Sequence, residues 1–376
     1  MLQLPQEKLR LPDRNIIANL ETMLRIAADI LKTSKAVHRK QTELDRKPGK
    51  RNYSVIVLIL CLFYKEILKL RYDDVRYLMF GSICEAIGLP KRKDGTYMKP
   101  RGSTLCESQR DILVPLIDEL TKEIAEGMLA HLKIVHRGEG YIVFTLDSTP
   151  IQASRYNYDA LFNGHYMIRM DKMHIIMADG MPLFMILTDG VEGDTTPVGD
   201  LLTKTEEAIS DVGLGDLEIK AMADGGYDSF NCYSQFYRHL GVQLDCHIRE
   251  NAKFHEDATW EAVQGKYSRM YRCPGFDPYR KNDEDFVLSF LLRNGKDELV
   301  GKYIRNKQLE AQKKREESGV KDTDRQVCET VHHSMKSWFD FTTLKLRHDL
   351  RYDTIKCRFF FTQLVSVIFK GYVSYD

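Results

Sequence analysis

The sequence predicts an α/β protein in which a mixed sheet with a strand-rich insertion follows an all-α N-terminal region. Three observations carry this. Apolar residues recur at helical spacing through the first ~135 positions. From Tyr141 the texture changes to short β-branched and aromatic runs. After that the order is strand, strand, strand, helix, strand, helix, strand, with a carboxylate at the end of the first strand and another at the end of the fourth.

At 376 residues the chain is too long for one small core, and several domains are expected. Hydrophobic residues at 43% and charged residues at 29% describe ordinary globular material rather than a disordered or fibrous chain. Net charge is +1, so a nucleic-acid partner would have to be met by local charge rather than a global basic field. The eight cysteines form no CxxC pair and no zinc spacing, and the N-terminus does not resemble a signal peptide. Reduced thiols in a cytoplasmic protein are expected from this. The longest apolar runs, Val55 to Tyr64 and Phe359 to Phe369, are too short to cross a bilayer and read as buried core.

Residues 1 to about 30 read as helical, with Ile16, Ile17, Leu20, Met23, Leu24, Ile26 and Ala27 on one face. Between Lys32 and Arg51 eight basic residues stand against two acids, Glu43 and Asp45. Such a run is either a solvated linker or a set of phosphate contacts, in which Lys47, Lys50 and Arg51 are candidates. Helices are predicted over Val55 to Tyr64, Tyr72 to Ile87 and Glu107 to Leu132. The basic Gly/Pro connector between the last two, from Pro90 to Leu105, is compatible with a helix-turn-helix-like DNA reader and equally with a plain helical bundle.

The run from Tyr141 to Leu146 is a buried strand that delivers Asp147, and Pro150 should end its pairing soon after. A carboxylate there is either a metal ligand or a turn cap, which Asp-Ser-Thr-Pro would also suit. Lys172 to Ala178 and Met181 to Thr188 flank Asp179-Gly180, a tight hairpin signal, so three antiparallel strands are predicted. Asp194, Thr195 or Thr196 is available to cap a helix running to about Ser210, and Asp194 is assigned as a cap or substrate-side polar group rather than a ligand. Leu217 to Ala223 is a strand ending in Asp224-Gly225-Gly226, where a second carboxylate leaves the sheet. Ser229 to Leu240 is a helix and Val242 to Ile248 a strand. With right-handed crossovers the fourth strand lies beside the first, which brings Asp147 and Asp224 together.

Residues 254 to 321 read as an insertion, with Phe286 to Leu292 and Glu298 to Ile304 strand-like around Asn294-Gly295. A helix follows from Asp324. On it Arg325, Glu329, His332 and Lys336 share one face, and Val327, Val331, Met335 and Trp338 the opposite one. Glu298, Glu310, Glu316 and Glu317 are competing acids, but only Glu329 has both an apolar docking face and cationic neighbours.

This order of elements is that of the ribonuclease-H-like fold, and the chain resembles the DDE transposases of bacterial and archaeal insertion sequences. The resemblance extends from about Tyr141 to Lys336. It is specific to the group whose last acid lies in a Y-x2-R-x3-E-x6-K signature, where Arg325, Glu329 and Lys336 match and Asp322 replaces the tyrosine. It implies domains at 1–135 (helical, DNA-binding), 136–253 (catalytic core), 254–321 (β-rich insertion) and 322–376 (C-terminal helices of the core). It also implies catalytic Asp147, Asp224 and Glu329 holding two Mg²⁺ ions, with Mn²⁺ a substitute, Asp147 bridging and the other two holding one each. Arg325 and Lys336 would contact DNA. The partners implied are double-stranded terminal-repeat and target DNA, a homodimer on that DNA, and no membrane; the setting is a prokaryotic cytoplasm, at the nucleoid. His165, His174, His332 and His333 are assigned to the core or to phosphate contact rather than to the metal. Two rivals are a nuclease of the same fold that cuts without joining, and a DNA-binding protein derived from a transposase that no longer catalyses.

Overall fold

The computed structural model describes residues 16–48, 52–136, 140–154, 157–214, 217–248, 252–270, 280–318, 339, 341, 343–344 and 348–370. The N-terminal region is helical: α1 (Ile16–Lys32), α2 (Lys35–Asp45), α3 (Val55–Ile67), α4 (Tyr72–Leu78), α5 (Gly81–Ile87), α6 (Gly102–Ser108) and α7 (Val114–Val135). Its centre is α3, buried on every side from Val57 to Glu66, as a helix apolar all round must be. The basic run is not an irregular linker over most of its length. Ser34 caps α2 by accepting from the Val37 amide (3.1 Å) and donates its own hydroxyl to Glu123 of α7 (2.5 Å). Ala36, Val37 and Leu44 are buried, so charge occupies only the outer face.

Two other predicted helices are interrupted. The 72–87 segment breaks at Met79, whose backbone is extended, into α4 and α5. The 107–132 segment becomes α6, a π-helical turn over Gln109–Leu113, and α7. Pro115 supplies the reason: it lacks an amide to continue the ladder, and the wider turn, in which the Val114 amide reaches the Gln109 carbonyl, takes up the irregularity.

The sheet comprises β1 (Tyr141–Ala153), β2 (Phe162–Asn163), β3 (Ile168–Ala178), β4 (Met181–Asp189), β5 (Glu218–Ala223), β6 (Leu244–Cys246) and β7 (Thr343–Leu344). β1, β3 and β4 form the antiparallel meander, joined at Asp179-Gly180, where both residues have positive φ (46° and 70°) as a two-residue hairpin demands. β5 lies parallel to β1 and β6 parallel to β5, with α8 (Val198–Val212) and α9 (Phe230–Leu240) as crossovers. This is a mixed sheet of ribonuclease-H-like order behind a helical N-terminal region. Pro150 does not end β1, which stays paired with β3 as far as Gln152. Between the last β5 pair at Leu146 and the β7 pair at Gln152 only one edge of β1 is paired, so half its backbone groups already point away from a ladder.

Residues 254 to 318 are not strand-rich where described. They form α10 (Trp260–Arg269), α11 (Glu284–Arg293) and α12 (Asp297–Ser318). Val287, Leu288, Leu291 and Leu292 are buried at helical spacing, and Asp283 caps α11 by accepting from the Phe286 amide. Asn294-Gly295 is therefore a helix end and not a hairpin: Gly295 has φ 68° and its amide donates back to the Leu292 carbonyl. α12 packs on α9 so closely that a methyl group at Gly301 would lie 2.1 Å from the Phe230 carbonyl oxygen. The final helix, α13 (His348–Lys370), packs against α7 and β4. Its Arg351, fully buried, forms a two-pronged ion pair with the equally buried Asp171 of β3.

Candidate active site

β1 and β5 run parallel in register from Tyr141↔Glu218 to Leu146↔Ala223. The next residue on each strand is an aspartate. Asp147 lies within β1, where its pairing with β5 stops, and Asp224 follows the last residue of β5, so the two stand at the same level of neighbouring strands, whose backbones in a parallel pair run ~4.8 Å apart. The strand end expected at Asp147 is not there, because β3 keeps β1 paired as far as Gln152. Asp147 is half-buried and Asp224 exposed. Each turns one carboxylate oxygen to the amide of the residue that follows it, Asp147 to Ser148 (2.7 Å) and Asp224 to Gly225 (2.6 Å). A carboxylate oxygen turned to the following amide and a place in a shared acidic site are therefore compatible.

The turn after Asp224 is held from three sides. Cys246 of β6 donates its thiol to the Asp224 carbonyl (2.9 Å), and burial, which pushes that thiol's pKa up, keeps it protonated for the purpose. Asp228 receives both prongs of Arg305 from α12 (2.7 and 2.9 Å) and the Tyr233 hydroxyl of α9 (3.2 Å). Tyr227 is buried between them. Its hydroxyl has no hydrogen-bond partner of good geometry among the described residues, and burial, reinforced by the nearby Asp194 and Asp147 carboxylates, holds it well above the usual tyrosine pKa.

Asp194 does not cap a helix. α8 begins after Pro197 without a side-chain cap, while Asp194 accepts from the Ser148 hydroxyl (2.7 Å) and pairs with Lys172 of β3 (3.1 Å). The local pattern Gly-Asp-Thr-Thr-Pro favours a cap, and only the fold places Ser148 and Lys172 within reach. His174, beside this pair on β3, is fully buried and bonded through Nε2 to Thr188 (2.9 Å). Burial pushes its pKa down to about 4 against the opposing pull of Asp194, so it is a neutral core residue and not a phosphate contact. His165 is exposed, its ring edge-on to Tyr166.

The remaining assignments divide. Lys47 is exposed and bonded to Glu43 one turn away (2.7 Å), whose carboxyl Lys47 and Lys40 hold at about 2. Lys50, Arg51, Arg325, Glu329, His332, His333 and Lys336 lie outside the described residues, as does Asp322. Of the competing acids, Glu298 pairs with Lys302 on the exposed side of α12, and Glu316 accepts from Gln312. Among the described residues no three His, Cys, Asp or Glu side chains lie close enough together to hold a metal ion. What the described site offers is two hard oxygen donors at one level of adjacent strands, a set suited to Mg²⁺ or Mn²⁺ once completed by a third acid.

Residues 138–352, from just before β1 into the first turn of α13, match the family model for the transposase DDE domain. The chain belongs to that family. Membership makes it a transposase, a protein of DNA transposition, and the matched span contains Asp147, Asp224 and Glu329. No curated protein and no solved structure matches the chain. Among the described residues no helix of the transposase is long and apolar enough to cross a membrane.

Proposed function

We propose that this transposase cleaves DNA at the ends of a mobile element and joins those ends to target DNA, with Asp147, Asp224 and Glu329 as its catalytic carboxylates. The observation that carries the reading is the register Leu146↔Ala223, which sets the two aspartates side by side inside a segment matching the DDE domain. The three carboxylates would hold two Mg²⁺ ions, or Mn²⁺ in their place. When bound, such ions supply activation of a water or DNA 3′-hydroxyl and neutralisation of the leaving oxygen in an in-line displacement.

The chain's own residues do the rest. Asp147, half-buried on a strand paired there at one edge, and Asp224, exposed, would be the two donors that the described residues supply. The Arg305–Asp228 pair and the Cys246 thiol fix the turn that carries Asp224. Arg325 and Lys336, four residues before and seven residues after Glu329, fit the last part of the insertion-sequence signature and would orient DNA phosphates toward the acids. The helical region up to residue 135, whose sequence includes the basic run with Lys47, Lys50 and Arg51, would bind the terminal repeats, and a homodimer on DNA would pair the two element ends. The setting implied by the resemblance to insertion-sequence transposases would be a prokaryotic cytoplasm, at the nucleoid.

The test uses terminal-repeat DNA, Mg²⁺ and a target plasmid. Asp147→Asn, Asp224→Asn and Glu329→Gln should each abolish cleavage and leave metal-free DNA binding intact, because basic residues make the phosphate contacts. A variant that still cleaves removes that acid from the site. Cleavage by the wild type without joined products would make the protein a nuclease. Binding without cleavage would make it a non-catalytic relative.

A further inference from the structure

Asp194 lies beside residues that closely follow each of the two aspartates. Its Oδ1 accepts from the hydroxyl of Ser148, the residue after Asp147, at 2.7 Å. On the other side a methyl group at Gly226, two residues after Asp224, would lie 3.3 Å from its Oδ2. Its own position is set from a third direction: Lys172 approaches Oδ1 at 3.1 Å and also donates to the Glu192 carbonyl at 3.1 Å. The lysine side chain is 11% exposed and the aspartate 28%, so the pair is a partly desolvated strut and not a surface ion pair. Glycine at 226 is what lets the carboxylate approach the turn so closely.

We propose that Asp194 is a positioning residue for the acidic site: pinned by Lys172, it holds Ser148 on one flank and abuts Gly226 on the other, setting the separation at which Asp147 and Asp224 are presented. This rests on the reading of those two aspartates as metal-holding carboxylates. Asp194 does not replace either of them, since its charge is already directed to Lys172 and Ser148. Its action is that of the outer contacts that orient ligating carboxylates, whose loss commonly costs about 10–100-fold in metal affinity or activity.

The experiment is Mg²⁺-dependent cleavage of terminal-repeat DNA by the full chain, titrated with Mg²⁺. Asp194→Ala should slow cleavage about 10–100-fold and raise the Mg²⁺ needed for half-maximal rate, with metal-free DNA affinity unchanged. Asp194→Asn, which keeps an oxygen for Ser148 and the bulk against Gly226, should recover most of the loss. Ser148→Ala, a mild change that leaves the Lys172 pair in place, should shift the Mg²⁺ requirement in the same direction by less. A wild-type Mg²⁺ requirement in Ser148→Ala together with equal rates for the Ala and Asn variants overturns the proposal, as does wild-type cleavage by a folded Asp194→Ala. If Asp194→Ala does not fold, the Ser148→Ala titration decides alone. Asp147→Asn in the same assay separates the two readings. If it is inactive while the Asp194 and Ser148 variants are normal, only the positioning role fails; if it too cleaves, the site itself is misassigned.

Discussion

Replacing Arg351 with Met should be among the most damaging single changes in the chain. Arg351 and Asp171 are each fully buried, and the guanidinium meets both carboxylate oxygens with a further contact to Asp159 at 3.3 Å. Burial alone would lower the arginine pKa, but the Asp171 carboxylate outweighs it and the net direction is upward, so the guanidinium stays charged in the interior. Met matches the arginine stem but strands the Asp171 carboxylate away from water, a loss of ~3–5 kcal/mol for breaking one side of a buried pair. Because Asp171 is paired with Ile151 of β1 and Arg351 is in α13, the damage falls on the joint between the C-terminal helix and the strand that carries Asp147. Removing both charges, as Arg351→Met with Asp171→Leu, should restore most of the stability, since the desolvation cost disappears with the pair. Urea unfolding followed by circular dichroism reads both variants, and their difference gives the coupling. A single-variant loss below ~1 kcal/mol, or a double variant no more stable than Arg351→Met, would refute the argument that an uncompensated carboxylate dominates.

Three other outcomes are expected. His174 has its pKa lowered from 6.5 to about 4, so the unfolded chain takes up a proton first as pH falls. Stability is complete above pH ~6.5 and declines between there and ~4, by about 2 kcal/mol at pH 5. His174→Gln should flatten that part of the stability-against-pH curve, and an unchanged slope would assign the decline to other groups. Arg305→Lys should not substitute for Arg305, because a single ammonium cannot meet both Asp228 oxygens; slower cleavage with unimpaired DNA binding is expected in kinetic and gel-shift assays. Changing Lys47, Lys50 and Arg51 together to Ala should weaken binding to DNA of any sequence and flatten the salt dependence of its affinity by a slope of up to about 3, read from binding at several salt concentrations.

What the sequence determined by itself was whatever depends on neighbours along the chain. The strand from Tyr141, the Asp179-Gly180 turn, the crossover helices and an aspartate after each of two apolar strand runs follow from local patterning, and handedness then places β5 beside β1; that β1 continues past Asp147 does not. Asp147 and Asp224 were legible for that reason. The helices at 284–293 and 297–318 were not, because short apolar runs fit strand and helix alike, and packing on α9 together with the Asp283 cap decides between them. Asp194 reads locally as a cap, yet its hydroxyl partner lies 46 positions away. Nothing local marks Arg351 out, and only the approach of α13 to β3 buries it against Asp171, 180 positions earlier. Local propensity is written in adjacent residues, whereas burial and ion pairing depend on which distant segments meet, and that is settled by the fold as a whole.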